Sequence, residues 1–217
     1  MKKLIILLAS FILLTGCANE KVASYDYTAF KQSKPKSILM VMPVNNSVDV
    51  KADTSVLARA TYPLAERGYY VYPVALVDEV FKQNGLTDGN LIRSAQLKKM
   101  HEIFGADSIF YINVNEYGTS YKLIDSVTTV SLEGKLVDLK TGQTLWEGMG
   151  SYTQGASNSN DGLLAALIKA AVTQLIDTTK DKGYQVASPA MSNLVYRGKN
   201  GGLLVGPKHP AYERSEK

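Results

Sequence analysis

Cys17 is the residue with the most specific chemical setting, and it is the only cysteine in the 217-residue chain. It follows Lys2 and Lys3, an apolar run of 11 residues from Leu4 to Leu14, and two small residues. Charged, apolar and small-residue zones in that order are the layout of a secretory signal peptide. The apolar run is shorter than the roughly 20 residues that span a bilayer as a helix, which predicts that the segment is removed.

The tetrapeptide Leu14-Thr15-Gly16-Cys17 resembles the bacterial lipobox. In that pattern the thiol becomes thioether-linked to diacylglycerol, the chain is cut before the cysteine, and the new amine is acylated. We therefore predict a signal peptide over residues 1–16 and lipidation of Cys17. Several acyl chains, each methylene contributing roughly 0.8 kcal/mol when buried, anchor a protein stably. The alternative is an ordinary signal peptide whose cleavage site precedes a buried cysteine.

The residue after the cysteine bears on the destination of the anchored chain. By resemblance to the sorting pattern of Gram-negative lipoproteins, Ala18 favours the outer membrane, because a retained inner-membrane lipoprotein usually carries Asp there. We expect the domain to face the periplasm, and exposure on the outer leaflet stays open.

Composition limits the classes of protein that fit. Cleavage before Cys17 leaves 201 residues, enough for one sizeable domain, and loss of Lys2 and Lys3 lowers the formal charge from +4 to +2. Acidic and basic residues are interspersed, whereas a nucleic-acid-binding face needs clustered Lys and Arg. No disulfide can form once Cys17 is lipidated. Oligomeric state is not determined by these features.

Residues for catalysis or metal binding are sparse. His101 and His209 are more than a hundred residues apart, and His101 is expected to be a solvated residue of a helix. Four carboxylates could form an acid–base pair if the fold brought them together, although solvation at the surface is the expected role: Asp49, Asp53, Asp78 and Glu79. The sequence predicts no catalytic residue, no metal ligand and no cofactor.

Two common active-site motifs are absent or incomplete. The chain lacks the Gly-x-Ser-x-Gly motif of a nucleophile elbow. Gly148-Met149-Gly150 lacks the third glycine and the following Lys-Ser/Thr of a phosphate-binding loop. Its expected role is a bend where a strand leaves the sheet.

The first half of the predicted domain is a strand, a helix and a second strand. Ile38–Met42 forms a buried strand, a helix begins near Asp53, and Tyr69–Tyr72 forms the next strand, with the two strands parallel. Pro63 predicts a kink or restart in the helix, and Gly68 its left-handed end.

Two helices and an antiparallel meander follow. The helices span Val74–Phe81 and Leu91–Phe104, the second ended by Gly105, and a strand spans Ser108–Val114. The meander is predicted over three segments, with Gly142 in the last turn: Thr119–Ile124, Val127–Leu139 and Thr144–Tyr152.

The last predicted element is an apolar core helix from Gly162 to Thr178, about 15 residues long and interrupted by Lys169. From Gly183 onward the composition shifts to Gly, Pro, Ser and charge, which predicts an irregular arm. The predicted divisions are a signal peptide over 1–16, a lipid anchor and tether over 17–37, an α/β domain over 38–182 and the arm over 183–217. The tether is expected to carry Tyr25, Tyr27 and Phe30 against the domain surface.

The 13 tyrosines are a further feature of the composition. Tyr69, Tyr70 and Tyr72 alternate along one predicted strand, so that neighbours point to opposite faces. Such a strand fits either a protein interface, where tyrosine is enriched, or a half-exposed sheet rich in β-formers.

Five segments carry a resemblance to a known family: Pro63–Val71, Phe104–Asp107, Leu136–Gly142, Leu145–Gly148 and Gly206–Pro210. They resemble a family of Gram-negative lipoproteins of uncharacterised function that includes a genome-derived vaccine-candidate surface antigen. The likeness covers nearly the whole chain, lipobox included. It implies no catalytic residues, and only Cys17 matches a position with a known role.

The resemblance also implies a fold and partners. The family's fold is similar to the N-terminal domain of TolB and the periplasmic domain of CsgG, an α/β sandwich whose mixed sheet agrees with the predicted elements. Genes of members are often adjacent to that of a CsgG-like lipoprotein, which implies a non-enzymatic subunit of an envelope assembly. Two alternatives stay open: an activator of a peptidoglycan synthase, and a surface-exposed antigen with a ligand-binding role. A tether of about 20 residues, spanning at most about 70 Å, counts against the activator.

Overall fold

A computed structural model gives the structure of residues 25–121, 126–155, 181–197 and 201–215. The helices are α1 (Thr28–Ser33), α2 (Ala52–Glu66), α3 (Val74–Gln83), α4 (Gly89–Ser94), α5 (Leu97–Phe104), α6 (Lys182–Arg197) and α7 (Tyr212–Ser215). The strands are β1 (Ser37–Met40), β2 (Val44–Asn45), β3 (Tyr70–Val71), β4 (Ser108–Tyr121), β5 (Ser126–Asp138) and β6 (Thr144–Gly155).

The six described strands form one mixed sheet. The order is β3-β1-β4-β5-β6, and β2 pairs with β4 beside this path. The β1–β3 and β1–β4 pairs are parallel, whereas β4, β5 and β6 are antiparallel neighbours. The predicted mixed α/β sheet, with its opening strand–helix–strand unit and its meander, is therefore confirmed.

Helices α2 and α6 form the layer over one face of the β4–β6 meander. Side chains alternate along a strand, so Phe110, Leu132 and Trp146 point toward this layer and are fully buried. The rings of Phe110 and Trp146 stack with centroids 6.0 Å apart. The opposite face of the meander carries Tyr111, Lys135 and Glu147, and it forms the groove described below.

Several local predictions need correction. Helix α2 continues through Pro63 without a restart, whereas the predicted helix 91–104 is two helices separated by Ala95 and Gln96 in extended conformation. Strand β4 is one strand where two were predicted, with an irregularity between Val114 and Glu116. Gly142 does adopt the left-handed conformation at the last turn, with a φ of 73°.

The predicted tether over 17–37 is wrong from residue 25 onward. Phe30 on α1 is buried in the core, and Tyr25 and Tyr27 pack against it. The Tyr25 hydroxyl accepts a hydrogen bond from the backbone N–H of Glu147, 3.0 Å away, and the Tyr27 hydroxyl donates to the Gly202 carbonyl. These aromatic contacts extend the domain to Tyr25.

The predicted irregular arm over 183–217 is also wrong for residues 183–197, which belong to α6. The helix buries one stripe against the sheet, consisting of Gly183, Val186, Ala187, Ala190, Met191, Leu194 and Val195. Residues 201–210 are irregular as expected, yet they pack closely: Gly206 donates to the Arg67 carbonyl and Lys208 to the Gly68 carbonyl. The predicted helix Gly162–Thr178 and the signal peptide lie outside the described residues.

Candidate functional site

A groove of about 650 Å³ lies on the face of the meander opposite α6. Its floor is formed by alternate residues of β4, β5 and β6, and its rim by the end of α4 and the start of α5. The volume is typical of small-molecule sites. The residues that line it are Arg93, Leu97, Tyr111, Asn113, Glu133, Gly134, Lys135, Val137, Glu147, Gly148 and Met149.

Arg93 reaches from the last turn of α4 to the floor of the groove. Its Nη2 donates to the Ile112 carbonyl at 3.2 Å, and its guanidinium carbon lies 5.3 Å from the centroid of the Tyr111 ring. Burial against β4 lowers the pKa of Arg93 from its ordinary value and raises the pKa of Tyr111. Arg93 is thus a partly desolvated cation held in place by the strand.

The other charged groups lie on neighbouring strands. Lys135 on β5 and Glu147 on β6 form an ion pair with 2.6 Å between Nζ and Oε1. The next cross-strand pair on this face is Asn113 and Glu133, and the Asn113 amide donates to Glu133 Oε2 at 3.2 Å. The groove therefore combines two cations, two carboxylates and an amide with apolar walls.

A second surface lies on the helical layer, on the other side of the sheet. It is a strip of exposed tyrosines and partly covered arginines on α2, just past its end, and on α6, called here the tyrosine–arginine strip: Arg59, Tyr62, Arg67, Tyr184 and Tyr196. The Arg59 guanidinium carbon lies 3.8 Å from the Tyr184 ring centroid, and that of Arg67 lies 4.7 Å from the Tyr196 centroid.

Exposure distinguishes this strip from core aromatics. Tyr62 is 68% exposed, Tyr196 43% and Tyr184 37%. Because tyrosine and arginine, with tryptophan, are enriched at the energetic centres of protein interfaces, the strip has the composition of a protein-binding surface. The arginine stacking fixes Tyr184 and Tyr196 in place, which reduces the side-chain entropy lost on binding.

The four carboxylates singled out from the sequence serve local structure instead of one shared site. Asp49 accepts from the Lys51 N–H just before α2, and Asp53 from the Thr54 N–H. Asp78 pairs with Lys82 at 2.6 Å and Glu79 accepts from Gln83, each one turn along α3.

The two histidines are likewise engaged locally. His101, predicted to be solvated, is partly buried, and its Nδ1 lies 2.7 Å from the Ala106 carbonyl oxygen just past α5. Nδ1 of His209 accepts from the Ala211 N–H. Within the described part of the chain, no three His, Cys, Asp or Glu residues are grouped so that they could hold a metal ion.

Gly148-Met149-Gly150 is not a bend, because all three residues pair with β5 in the middle of β6. The glycines allow close packing. A Cβ on Gly150 would lie 2.2 Å from the Leu194 backbone nitrogen of α6, and one on Gly148 would lie 2.3 Å from the Trp146 ring.

The tyrosines around β3 divide between core and surface. Tyr69 is buried and donates to the Leu204 carbonyl at 2.6 Å, and burial raises the pKa of its phenol. Tyr70 is half-exposed and packs edge-on against Tyr72. Tyr69 thus joins the sheet to the segment 201–210, and the Lys208 ammonium lies 5.3 Å from the Tyr70 ring centroid. The tyrosine–arginine strip is a separate surface.

Cys17 lies outside the described residues, and its lipidation stays a prediction. In the ranges that the structure covers, no helix is long and apolar enough to cross a membrane. The groove was not predicted, since its residues come from five elements. The alternation of charged residues on β5 and β6, at Glu133, Lys135 and Glu147, was the one available sequence signal.

The fold indicates the class of protein. It is similar to the α/β fold of a solved bacterial lipoprotein, GNA1162 from Neisseria meningitidis. The TM-score is 0.54, and the two sequences are 50% identical over 65% of this chain and 99% of that chain. The chain belongs to the GNA1162-like family, whose model, described as "Putative lipoprotein GNA1162-like", matches residues 25–208.

A relative that is also from Neisseria meningitidis extends this likeness over almost the whole chain. The protein named "Putative lipoprotein NMB1124/NMB1162", from serogroup B of that species, is 49% identical over 208 residues, covering 96% of this chain and 97% of its own length. The predicted family of lipoproteins is therefore confirmed, and membership of this family implies a membrane-anchored protein.

A weaker structural likeness joins the chain to the C-terminal domain of LpoB from Salmonella enterica. The TM-score is 0.40, with 17% identity over 56% of this chain and 85% of that chain. A likeness at this level carries no argument about function.

Proposed function

We propose that this lipoprotein is a non-enzymatic accessory subunit of an envelope assembly, anchored to the outer membrane through lipid on Cys17 and facing the periplasm. The observation that carries the proposal is the tyrosine–arginine strip. The strip is exposed on the two-helix layer, and its tyrosines and arginines are residues typical of protein interfaces. The chain that carries it belongs to a family of lipoproteins.

The anchor and the strip have complementary roles in this proposal. Lipid on Cys17 concentrates the domain at the membrane, so a contact of modest affinity suffices for assembly. Ala18 after the cysteine supports the outer membrane as the destination. A CsgG-like secretion lipoprotein is the partner that we propose, because members of the family resembled by this chain are often encoded beside one.

Site-specific crosslinking in intact cells tests the proposal. A photoreactive phenylalanine analogue replaces Tyr62 on the strip or, as the matched control, Tyr152, which is 40% exposed on β6. We expect position 62 to capture one dominant envelope protein and position 152 to capture much less of it. Mass spectrometry identifies the captured protein.

Two further variants separate the parts of the proposal. Cys17→Ala should release the chain from the membrane fraction and abolish the crosslink. Tyr196→Ala should weaken the crosslink at position 62 by roughly tenfold, because interface tyrosines commonly contribute more than about 1 kcal/mol. Equal capture of all envelope proteins at both positions would contradict a specific partner.

A further inference from the structure

The groove contains two opposite charges that do not pair with each other. Arg93 donates to a backbone carbonyl and stacks on Tyr111, and Glu133 accepts from Asn113. Among the described residues, neither side chain takes part in an ion pair. Lys135 and Glu147 neutralise each other, so the unpaired positive and negative charges of the groove are those of Arg93 and Glu133.

Asn113 adds an unsatisfied acceptor beside Glu133. Its Nδ2 donates to the Glu133 carboxylate. If the amide were flipped, Oδ1 would face Glu133 and two acceptor oxygens would repel each other, so Nδ2 must point toward Glu133 and Oδ1 away from it. The Oδ1 atom is buried and has no hydrogen-bond partner in the described structure. A buried acceptor without a donor is destabilising, and a bound N–H group would satisfy it.

The three polar groups lie along one edge of the floor. Asn113 and Glu133 are directly opposite each other on β4 and β5, and the Arg93 guanidinium contacts β4 at Ile112, the neighbouring residue. A ligand that crosses β4 could therefore meet the Arg93 guanidinium on one side of the strand and the acceptors of Asn113 and Glu133 on the side toward β5. Tyr111, Leu97 and Met149 supply apolar surface around this path.

We propose that the groove binds a short zwitterionic peptide of two or three residues, with its terminal ammonium at Glu133 and Asn113 Oδ1 and its carboxylate at Arg93. A ligand with only one charge would leave either Arg93 or Glu133 unpaired. The volume of about 650 Å³ suits a molecule of this size. The site lies on the other side of the sheet from the tyrosine–arginine strip, so it is independent of the proposed function.

Isothermal titration calorimetry with three matched probes tests both ends of the ligand. The probes are tri-alanine, N-acetyl-tri-alanine, which lacks the ammonium, and tri-alanine amide, which lacks the carboxylate. The titrations use the full lipidated chain in a mild detergent. We expect tri-alanine to bind and each blocked probe to bind at least about tenfold more weakly, since each loses a charge-assisted hydrogen bond.

Variants locate the site. Glu133→Gln retains an oxygen that accepts from Asn113 but lacks the charge, and it should lower tri-alanine affinity by about tenfold, as should Arg93→Gln. Glu102→Gln, at an exposed position of α5, is the matched control and should bind like the original chain. Thermal unfolding curves verify that each variant is folded.

Four results would overturn the proposal. Three are the absence of tri-alanine binding at millimolar concentration, equal binding of the blocked probes, and normal binding by both folded variants. The fourth is tighter binding of phosphoethanolamine than of tri-alanine, which would favour a lipid headgroup. Because the assay needs neither a partner nor a membrane, its result does not depend on the crosslinking experiment.

Discussion

At the scale of single residues, glycines determine how closely α6 approaches the sheet. Gly134 on β5 and Gly150 on β6 both face Leu194, and a Cβ on Gly134 would lie 2.9 Å from a Leu194 methyl carbon. Glycine inside a strand usually weakens the strand. At these two positions glycine is explained by packing, because a side chain would collide with Leu194 of α6. Neither glycine has a positive φ.

Gly150→Ala should therefore be strongly destabilising. The new Cβ would lie 2.2 Å from the Leu194 nitrogen and 2.4 Å from its Cα, so the helix must move because backbone atoms cannot rotate away. We expect the free energy of unfolding to fall by about 3 kcal/mol, measured by urea denaturation. Ser151→Ala, at the next, exposed position of β6, is the control and should change it by less than about 0.5 kcal/mol. Equal stability of the two variants would show that α6 packs differently.

At the scale of elements, Asp138 joins α1 to the turn between β5 and β6. Its carboxylate accepts from the Ser33 hydroxyl at 2.5 Å and from the N–H groups of Lys140 and Thr141, each at 2.8 Å. Burial alone would raise the pKa of Asp138, but the hydrogen bonds from Ser33, Thr141 and Lys140 outweigh it and hold the pKa below its ordinary value.

Asp138→Asn should lower stability in a pH-dependent way. Since the folded-state pKa lies below the unfolded one, the carboxylate contributes fully above about pH 4 and loses its contribution as the pH falls through the folded-state pKa. We expect a loss of about 1–3 kcal/mol at pH 7 that shrinks toward pH 2, measured by urea unfolding across this range. Asp78→Asn, which removes a solvent-exposed ion pair on α3, should cost much less than Asp138→Asn. A loss that is the same at pH 7 and pH 2 would assign the effect to packing.

The sequence predicted some elements much better than others. The opening strand–helix–strand unit and the meander were recognisable because a short apolar run, a tyrosine-rich β-prone segment and an alternating pattern are local signals. The helix α6 was missed, although Val186, Ala187, Ala190, Met191 and Leu194 recur at helical spacing. Gly183, Pro189 and the small size of the alanines obscured that period. The groove was beyond prediction because it depends on strand register and on the position at which α4 ends.

At the scale of the whole molecule, the structure places the start of the domain nearer in sequence to Cys17, the predicted lipidation site, than the sequence indicated. The packed domain extends to Tyr25 rather than beginning near Ile38, so eight peptide units separate it from Cys17. Eight units span at most about 30 Å, less than half of the length expected from the sequence. If Cys17 carries lipid, the tyrosine–arginine strip is confined to a shallow layer next to the membrane. This confinement favours a partner at the same membrane.

Lengthening the tether distinguishes a partner at the same membrane from one at the opposite membrane. Inserting about 20 Gly and Ser residues after Ala18 gives a flexible linker of about 28 residues, and effective concentration falls with roughly the −3/2 power of linker length. We expect the crosslink from position 62 to drop roughly sixfold if its partner lies at the outer membrane, because dilution is then the main effect. A partner such as a synthase in the inner membrane would instead be reached more easily, and the crosslink would rise. The sign of the change, measured against an equally expressed chain with the original tether, therefore decides between the envelope-assembly subunit and the synthase activator, whichever protein the partner is.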